Sequence, residues 1–432
     1  MTSTWRIEPS GPLRGDVMVR GSKNAVTKHM VAALLADGPC VVQNCPEIGE
    51  VELTRGMLES LGCEVEVDGD MVTVDGRGLR GGQVPGIYGG RNRIPILLLG
   101  PLLHRLGEAF VPTVGGDRIG ARPVDFHIGA LVAMGAEVEV TEEGVHAKAT
   151  SLHGARIRLP YPSVGATETV LLTAALAEGR TILENAATET EVIELGLYLQ
   201  RMGARIELRP DRRWVIEGVD HLTGGVEHSL QGDRNEAFSY LVAGLVTGGR
   251  VRVFGCPQDR LVTAISTLDR MGARFEITDY YLAAEAEQLR SAVVQTDTHP
   301  GFMTDWQSPL VVLFTQCAGM SVLHETVYED RFPYIDALQH MGAEIELFDS
   351  CLGGRGCRFH ETGDLHSAVV HGPTKLRGAE ITSPDIRGGF AYVIAAAAAE
   401  GASVLHEVTE IERGYHRPFE AFSELGLDIT RR

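Results

Sequence analysis

Positive charge is in short supply in this chain. Of its 432 residues, 39 are Lys or Arg and 58 are Asp or Glu, a formal net charge of −19. Such a surface repels polyanions, which argues against nucleic acid or an anionic membrane as the main partner. Cysteines number seven, an odd count, with no Cys-x-x-Cys pair. A disulfide framework or a zinc site is therefore not expected, and a reducing cytoplasm fits. Aromatic residues make up only 6% and mark no partner surface. No apolar run is long enough to cross a bilayer. The start, Met1-Thr-Ser-Thr-Trp-Arg6, lacks the charged-then-apolar layout of a secretory signal.

What is present is repetition. One phrase recurs six times: LGCEVEV from Leu61, MGAEVEV from Met134, MGARIEL from Met202, MGARFEI from Met271, MGAEIEL from Met341 and LGLDIT from Leu425. The step is roughly 70 residues, and the last step is longer. In each phrase a glycine after the last apolar helical position caps a helix in the left-handed region. The alternating residues that follow read as a half-buried strand. A second phrase, helix then Gly then strand, precedes each one, near Gly38, Gly107, Gly179, Gly248, Gly319 and Gly401. The repeat suits a βαβαββ-sized element. Six of them exceed what one core holds, so three per lobe are expected. The extra length of the last step lies in CLGGRGCRFHETGDLH from Cys351, read as an inserted surface hairpin or loop.

Several local phrases have both a plain and a functional reading. Gly21-Ser22-Lys23-Asn24 opens an apolar helix. Ser22 or Asn24 caps it, and a helix N-terminus beside a lysine is an anion site by geometry and dipole, although a solvated lysine explains the same letters. Thr113-Val-Gly-Gly-Asp117-Arg118-Ile-Gly120-Ala-Arg122-Pro123-Val124-Asp125-Phe126 is a glycine-rich loop, either a mobile lid or a surface hairpin. Ser163-Val164-Gly165 opens a helix whose free N–H groups suit a phosphate or merely a serine cap. Asp305 stands at another helix start, where an acid is favoured by the dipole alone. Each of Arg93, Arg331, Arg387 and Arg413, taken singly, reads as a surface ion-pair partner.

Together these repeats resemble the enolpyruvyl transferase fold, a two-lobed inside-out α/β barrel with helices inside and sheets outside. The phrases resemble the UDP-N-acetylglucosamine 1-carboxyvinyltransferase family over nearly the whole chain. The resemblance implies one lobe at 22–231, carrying a lid loop at 113–122, and a second at 1–21 plus 232–432. It implies transfer of the enolpyruvyl group of phosphoenolpyruvate to the 3-hydroxyl of a UDP-sugar, the first committed step of peptidoglycan synthesis, with no metal or organic cofactor. Within it, Lys23 looks like the phosphoenolpyruvate-contacting lysine and Asn24 like a sugar contact. Asp117 looks like the general acid that protonates C3. Arg122, Pro123, Val124, Asp125 and Phe126 look like a uridine clamp, and Ser163, Val164 and Gly165 like the diphosphate contact. Asp305 looks like the general base at the sugar hydroxyl, with Val327 facing the acceptor and Arg331 an anionic group. Arg387 and Arg413, with Arg93, Arg122 and Lys23, are expected to form a cationic cleft.

The sequence departs from the family pattern in three places. Asp117 stands where many members have Cys, so insensitivity to the thiol-directed epoxide fosfomycin is expected. Tyr161 stands where a Lys is frequent, and Arg93-Ile-Pro-Ile replaces a more usual Arg-Ala-Ser phrase. The last two touch the acceptor site. They leave open a paralogue acting on another uridine nucleotide, and beside it a non-catalytic nucleotide-sugar binder.

Overall fold

The computed structural model of the chain describes residues 3–117 and 119–432. Met1 and Thr2 of the start, and Arg118 of the glycine-rich loop, lie outside the described residues. The chain divides into two compact units. One comprises Met1–Arg20, Arg118–Ala121 and Gln231–Arg432; the other comprises Gly21–Asp117 and Arg122–Leu230.

Each unit is built on one order, edge strand, inner helix, strand, outer helix, hairpin, three times over; one repeat lacks a full edge strand, and the last pairs Ile429–Arg431 with Trp5–Ile7 in place of a hairpin. The inner helices of the C-terminal unit are Arg234–Val246, Gln307–Phe314 and Ile386–Ala397, and every residue of all three is buried. They pack against one another. A helix that is apolar all round must be covered all round. The outer elements do this, and each unit has its own core. In the other unit the helices Lys23–Ala32, Leu99–Leu106 and Val164–Ala174 hold the same place, the last buried from Ala166 onward.

The hairpins form the outer skin. Glu64–Asp68 runs antiparallel to Met71–Asp75 with Val65 opposite Val74 and Val67 opposite Val72. The valines turn inward while Glu64 and Glu66 face water, as a period of two requires. Five sheets have four strands. The sheet of Glu108–Pro112, Gly144–Lys148 and Glu137–Val140 has three, with only an isolated bridge from Gln83 to Phe110 at its edge.

Closure uses remote strands. Arg14–Met18 lies parallel to Arg250–Phe254, and Trp5–Ile7 lies antiparallel to both Ser403–His406 and Ile429–Arg431. In the other unit Glu227–Ser229 lies parallel to Cys40–Gln43. One repeat in each unit thus takes its edge strand from far along the chain.

All six phrase glycines adopt the expected positive φ, from +91° at Gly426 to +105° at Gly203. The earlier set is less uniform: Gly107, Gly179, Gly248, Gly319 and Gly401 are positive, while Gly38, followed by Pro39, is not among the positive-φ glycines. The cysteines are all unbridged, but they are not all scattered. Loop 349–366 folds back on itself and sets the Sγ atoms of Cys351 and Cys357 3.6 Å apart.

Two predictions follow from the packing. A Cβ on Gly203 would meet nothing within 4 Å, whereas one on Gly62 would lie 2.7 Å from the Gly78 carbonyl oxygen. Gly203→Ala should cost about 1 kcal/mol, the backbone penalty alone, and Gly62→Ala clearly more, as read by denaturant unfolding. The second concerns Glu168, buried on an inner helix. Burial pushes its carboxyl up to about 7, with Glu191 and Glu189 adding to burial and Lys28 opposing. The folded state therefore holds this proton where the unfolded chain has lost it. That stabilisation is full below the ordinary carboxylate range and is lost as pH rises toward about 7, on the order of 3 kcal/mol. Glu168→Gln should flatten the fall in melting temperature across that window.

Candidate active site

The site residues of the unit spanning Gly21–Leu230 gather around helix starts. Ser22, rather than Asn24, caps the helix Lys23–Ala32, its hydroxyl accepting from the Asn24 amide at 3.2 Å. Lys23 stands in the first turn with its Nζ 4.0 Å from Glu50 Oε1. Glu50 is itself buried and accepts from Asn92 Nδ2 at 2.6 Å. Asn92 Oδ1 in turn accepts from the Ile94 amide at 3.1 Å. This chain of bonds ties Lys23 to the segment that presents Arg93. Neither Glu50 nor Asn92 carries a local sequence signal.

Arg93 donates to the Pro123 carbonyl at 3.4 Å, and Arg122 donates to the Asp117 carbonyl at 3.3 Å. Arg122 holds a left-handed backbone with φ +44°, uncommon for a residue with a side chain. The two arginines therefore brace the loop from inside. Pro123 and Asp125 are exposed, while Arg122, Val124 and Phe126 are half-buried, and Asp117 is half-buried in the loop.

The helix Val164–Ala174 starts at Ser163, whose hydroxyl accepts from the Ala166 amide at 3.3 Å. The first-turn amides of a helix have no partner within it. Gly165 allows His127 to come close: a Cβ there would lie 2.9 Å from the imidazole. Burial, with the Arg93 charge adding to it, pushes His127 down to about 3, so the ring is neutral. Its Nδ1 lies 2.7 Å from Thr169 Oγ1.

The C-terminal unit holds the densest charge cluster. Asp305 sits on a short turn, Thr304–Trp306, ahead of the inner helix Gln307–Phe314. Its Oδ1 is 3.3 Å from Arg331 Nη2, and its Oδ2 is 3.1 Å from Arg387 Nη2 and 3.3 Å from Asn235 Nδ2. Both arginine side chains are nearly inaccessible, at 4% and 3%, whereas that of Asp305 is 21% exposed. The open face of the cage is thus the carboxylate. Arg387 begins the helix Ile386–Ala397, which Asp385 caps by accepting from the Arg387 and Gly388 amides at 2.8 Å. Its guanidinium also stacks over the Tyr415 ring, 5.1 Å from the centroid. Arg331, read from the sequence as contacting an anionic group, and Arg387, read as part of a cationic cleft, both donate to Asp305. Arg413 pairs with Glu410 at 3.0 Å.

Val327 is set by a residue that the sequence did not flag. Glu325 is fully buried. It accepts from the Val327 amide at 2.6 Å, the Tyr328 amide at 3.1 Å, Gln307 Nε2 at 2.7 Å and Thr304 Oγ1 at 2.9 Å. Burial raises its carboxyl, and these donors with Arg331 oppose the rise. In the same unit the loop tip packs on this segment. Glu329 accepts from the Ala121 amide at 2.8 Å, and the Ile119 carbonyl accepts from the Asp330 amide at 3.4 Å. Asp117 and Asp305 fall in different units.

A carboxylate flanked by two fixed guanidiniums is suited to proton transfer beside an anionic substrate. The chain is similar to known proteins over nearly its whole length. The family model for EPSP synthase (3-phosphoshikimate 1-carboxyvinyltransferase) matches residues 7–422. The UDP-N-acetylglucosamine 1-carboxyvinyltransferase of Chlamydia pneumoniae is 43% identical over 426 residues, 97% of this chain and 93% of that protein. The protein of the same name from Halothermothrix orenii is 38% identical over 427 residues, 98% of each. Among solved structures, the enolpyruvyl transferase NikO from Streptomyces tendae aligns with a TM-score of 0.87 at 24% identity, covering 100% of this chain and 99% of that one. An EPSP synthase from Acinetobacter baumannii aligns at 0.73 and 19% identity, covering 100% of both chains. These two establish the fold.

Glu325→Ala would strand four donors. It should lower stability by roughly 2–4 kcal/mol and speed hydrogen exchange at the Val327 and Tyr328 amides by about tenfold or more, with Glu325→Gln milder on both counts. Native-state exchange read by mass spectrometry checks this.

Proposed function

The chain belongs to the UDP-N-acetylglucosamine 1-carboxyvinyltransferase family, and from that premise we propose that it transfers the enolpyruvyl group of phosphoenolpyruvate to the 3-hydroxyl of UDP-N-acetylglucosamine, releasing phosphate. The observation that carries the reading is the carboxylate of Asp305, fixed by Arg331 and Arg387 and left 21% exposed. A base whose position is held by its surroundings needs no reorganisation when the substrate arrives.

In this reading Asp117 protonates C3 of phosphoenolpyruvate while the sugar 3-hydroxyl adds to C2, and Asp305 takes the hydroxyl proton. A tetrahedral phosphorylated adduct forms. Loss of a C3 proton and of phosphate then gives the enol ether. Lys23 and Arg413 meet the donor anion, as do Arg93 and Arg387. Arg122 and Pro123 flank the uracil, Asp125 accepts from its N–H, and Val124 and Phe126 complete the clamp. Ser163 and the amides of Val164 and Gly165 hold the diphosphate. Asn24 and Val327 contact the sugar, with Arg331 behind Asp305. Loop 113–122 closes over the substrates during turnover. The mechanism calls on no metal or organic cofactor. The product feeds peptidoglycan synthesis, and seven unbridged cysteines support a reducing, cytoplasmic setting. Among the described residues no helix is long and apolar enough to cross a membrane.

A paralogue with a different uridine nucleotide as acceptor is favoured by two departures: Tyr161 beside the diphosphate helix, where a lysine would add a phosphate contact, and the phrase Arg93-Ile-Pro-Ile. Phosphate release separates the readings. With phosphoenolpyruvate and a panel of UDP-sugars, uridine nucleotides and shikimate 3-phosphate, turnover is expected with UDP-N-acetylglucosamine alone. Asp117→Asn and Asp305→Asn should each lower kcat by about 100-fold or more. Turnover only with another acceptor, or binding with no phosphate release, overturns the assignment. Fosfomycin should leave no adduct at Asp117 in the intact-mass spectrum, and Asp117→Cys should become alkylated.

A further inference from the structure

The hairpin loops of the repeats are short: 69–70, 141–143, 210–212 and 278–280 separate the paired strands. The fifth departs from this rule and runs 349–366 between the strands Glu344–Phe348 and Ser367–Gly372. Its sequence holds Gly353, Gly354, Gly356 and Gly363 and little apolar bulk beyond Leu352, Phe359 and the exposed Leu365. A loop of that length without its own core needs another tether to stay in one conformation.

Four side chains converge there. His324 ends the strand Gly319–His324, Cys351 and Cys357 come from the loop, and His366 closes it. One donor atom from each lies within 4.8 Å of every other. Cys351 Sγ is 3.6 Å from Cys357 Sγ and 3.4 Å from His366 Nε2. Tetrahedral zinc with bonds of about 2.3 Å to sulfur and about 2.0 Å to nitrogen sets sulfur pairs roughly 3.8 Å apart and sulfur–nitrogen pairs roughly 3.5 Å apart. The spacings fit. His366 Nδ1 lies 2.7 Å from the Asp364 carbonyl oxygen and donates to it, which leaves Nε2 with its lone pair toward Cys351. A ligating histidine commonly anchors its other nitrogen in this way. The Phe359 amide donates to Cys357 Sγ at 3.4 Å, the kind of outer-shell contact that orients a metal-bound sulfur.

The independent pointer is His324. Its residue is wholly inaccessible, and neither ring nitrogen has a hydrogen-bond partner. An imidazole in that condition leaves a buried polar atom unsatisfied, which is costly. A metal bond to one nitrogen removes much of that cost.

We infer that His324, Cys351, Cys357 and His366 form a structural zinc site that pins loop 349–366 to the sheet. Binding displaces one proton from each thiol, so Zn²⁺ with two thiolates and two neutral imidazoles is a neutral centre with two protons released. Four protein ligands leave no open position, which makes the site structural and not catalytic. The centre adjoins functional backbone. Glu325 follows His324 directly, and its amide donates to the His366 carbonyl at 2.8 Å. Arg358 from the loop also donates to the Val327 carbonyl. The expectation that this chain has no zinc site rested on the missing Cys-x-x-Cys spacing; here the pair is separated by five residues, and both histidines are supplied by strand ends.

The test uses the full chain, purified under reducing conditions without a histidine tag. Elemental analysis should find about one zinc per chain, and Cys351→Ser/Cys357→Ser should lose nearly all of it. Cobalt substitution of the unmutated protein should give thiolate charge-transfer and tetrahedral d–d absorption bands, a readout that holds even if the variant folds poorly. Three results overturn the inference. One is absence of both zinc and those cobalt bands. Another is zinc that survives the double substitution, which would place it elsewhere, as at His29, Glu194 and His228. The third is a Cys351–Cys357 disulfide in the native reduced protein.

Discussion

Three helices with no exposed face lie at the centre of the C-terminal unit, and the rest of its architecture answers to them. Arg234–Val246, Gln307–Phe314 and Ile386–Ala397 are buried along their whole length, so water must be kept from every side of each one. Single-faced elements do this when they are arranged around the helices. The hairpins turn valines inward and glutamates outward, and the outer helices add the remaining cover. Acidic residues collect on that skin, which is where much of the net charge of −19 is tolerated.

The same arrangement explains why chemistry sits at the starts of inner helices. The sides of these helices are occupied by packing, and their N-termini are where the chain emerges from the core. Lys23, Ser163, Asp305 and Arg387 all stand at or beside such starts. Burying charge there is costly unless each group is paired. Asp305 with Arg331 and Arg387, Lys23 with Glu50, and Glu325 with its four donors meet that requirement. The pairings also fix the geometry that proton transfer beside an anion demands.

Legibility differed between the fold and the site for one reason. Caps and turns are local, so a few letters specify them: Ser22 and Ser163 accept from amides two or three residues on, and the six phrase glycines share one left-handed geometry. Glu50, Asn92, Asn235 and Glu325 were invisible because each has at least one partner about twenty or more residues away, and nothing beside them in sequence marks that pairing. Arg331 and Arg387 were noticed as basic, yet their turn toward Asp305 depends on where two separate repeats meet. Cys351 and Cys357 misled for a related reason, since their company is set by the fold of a loop and the ends of two strands.

By itself the sequence determined the repeat, the helix starts and the alternation of the outer strands, because each depends on contacts within a turn or two of chain. It also determined the shortage of positive charge that forces cations to be concentrated. Tertiary structure alone decided which strand completes which sheet, with Arg14–Met18 joining Arg250–Phe254 and Glu227–Ser229 joining Cys40–Gln43. It also decided which buried charge answers which. Those choices are made by burial over long chain separations, where many partners are chemically acceptable and only packing selects one.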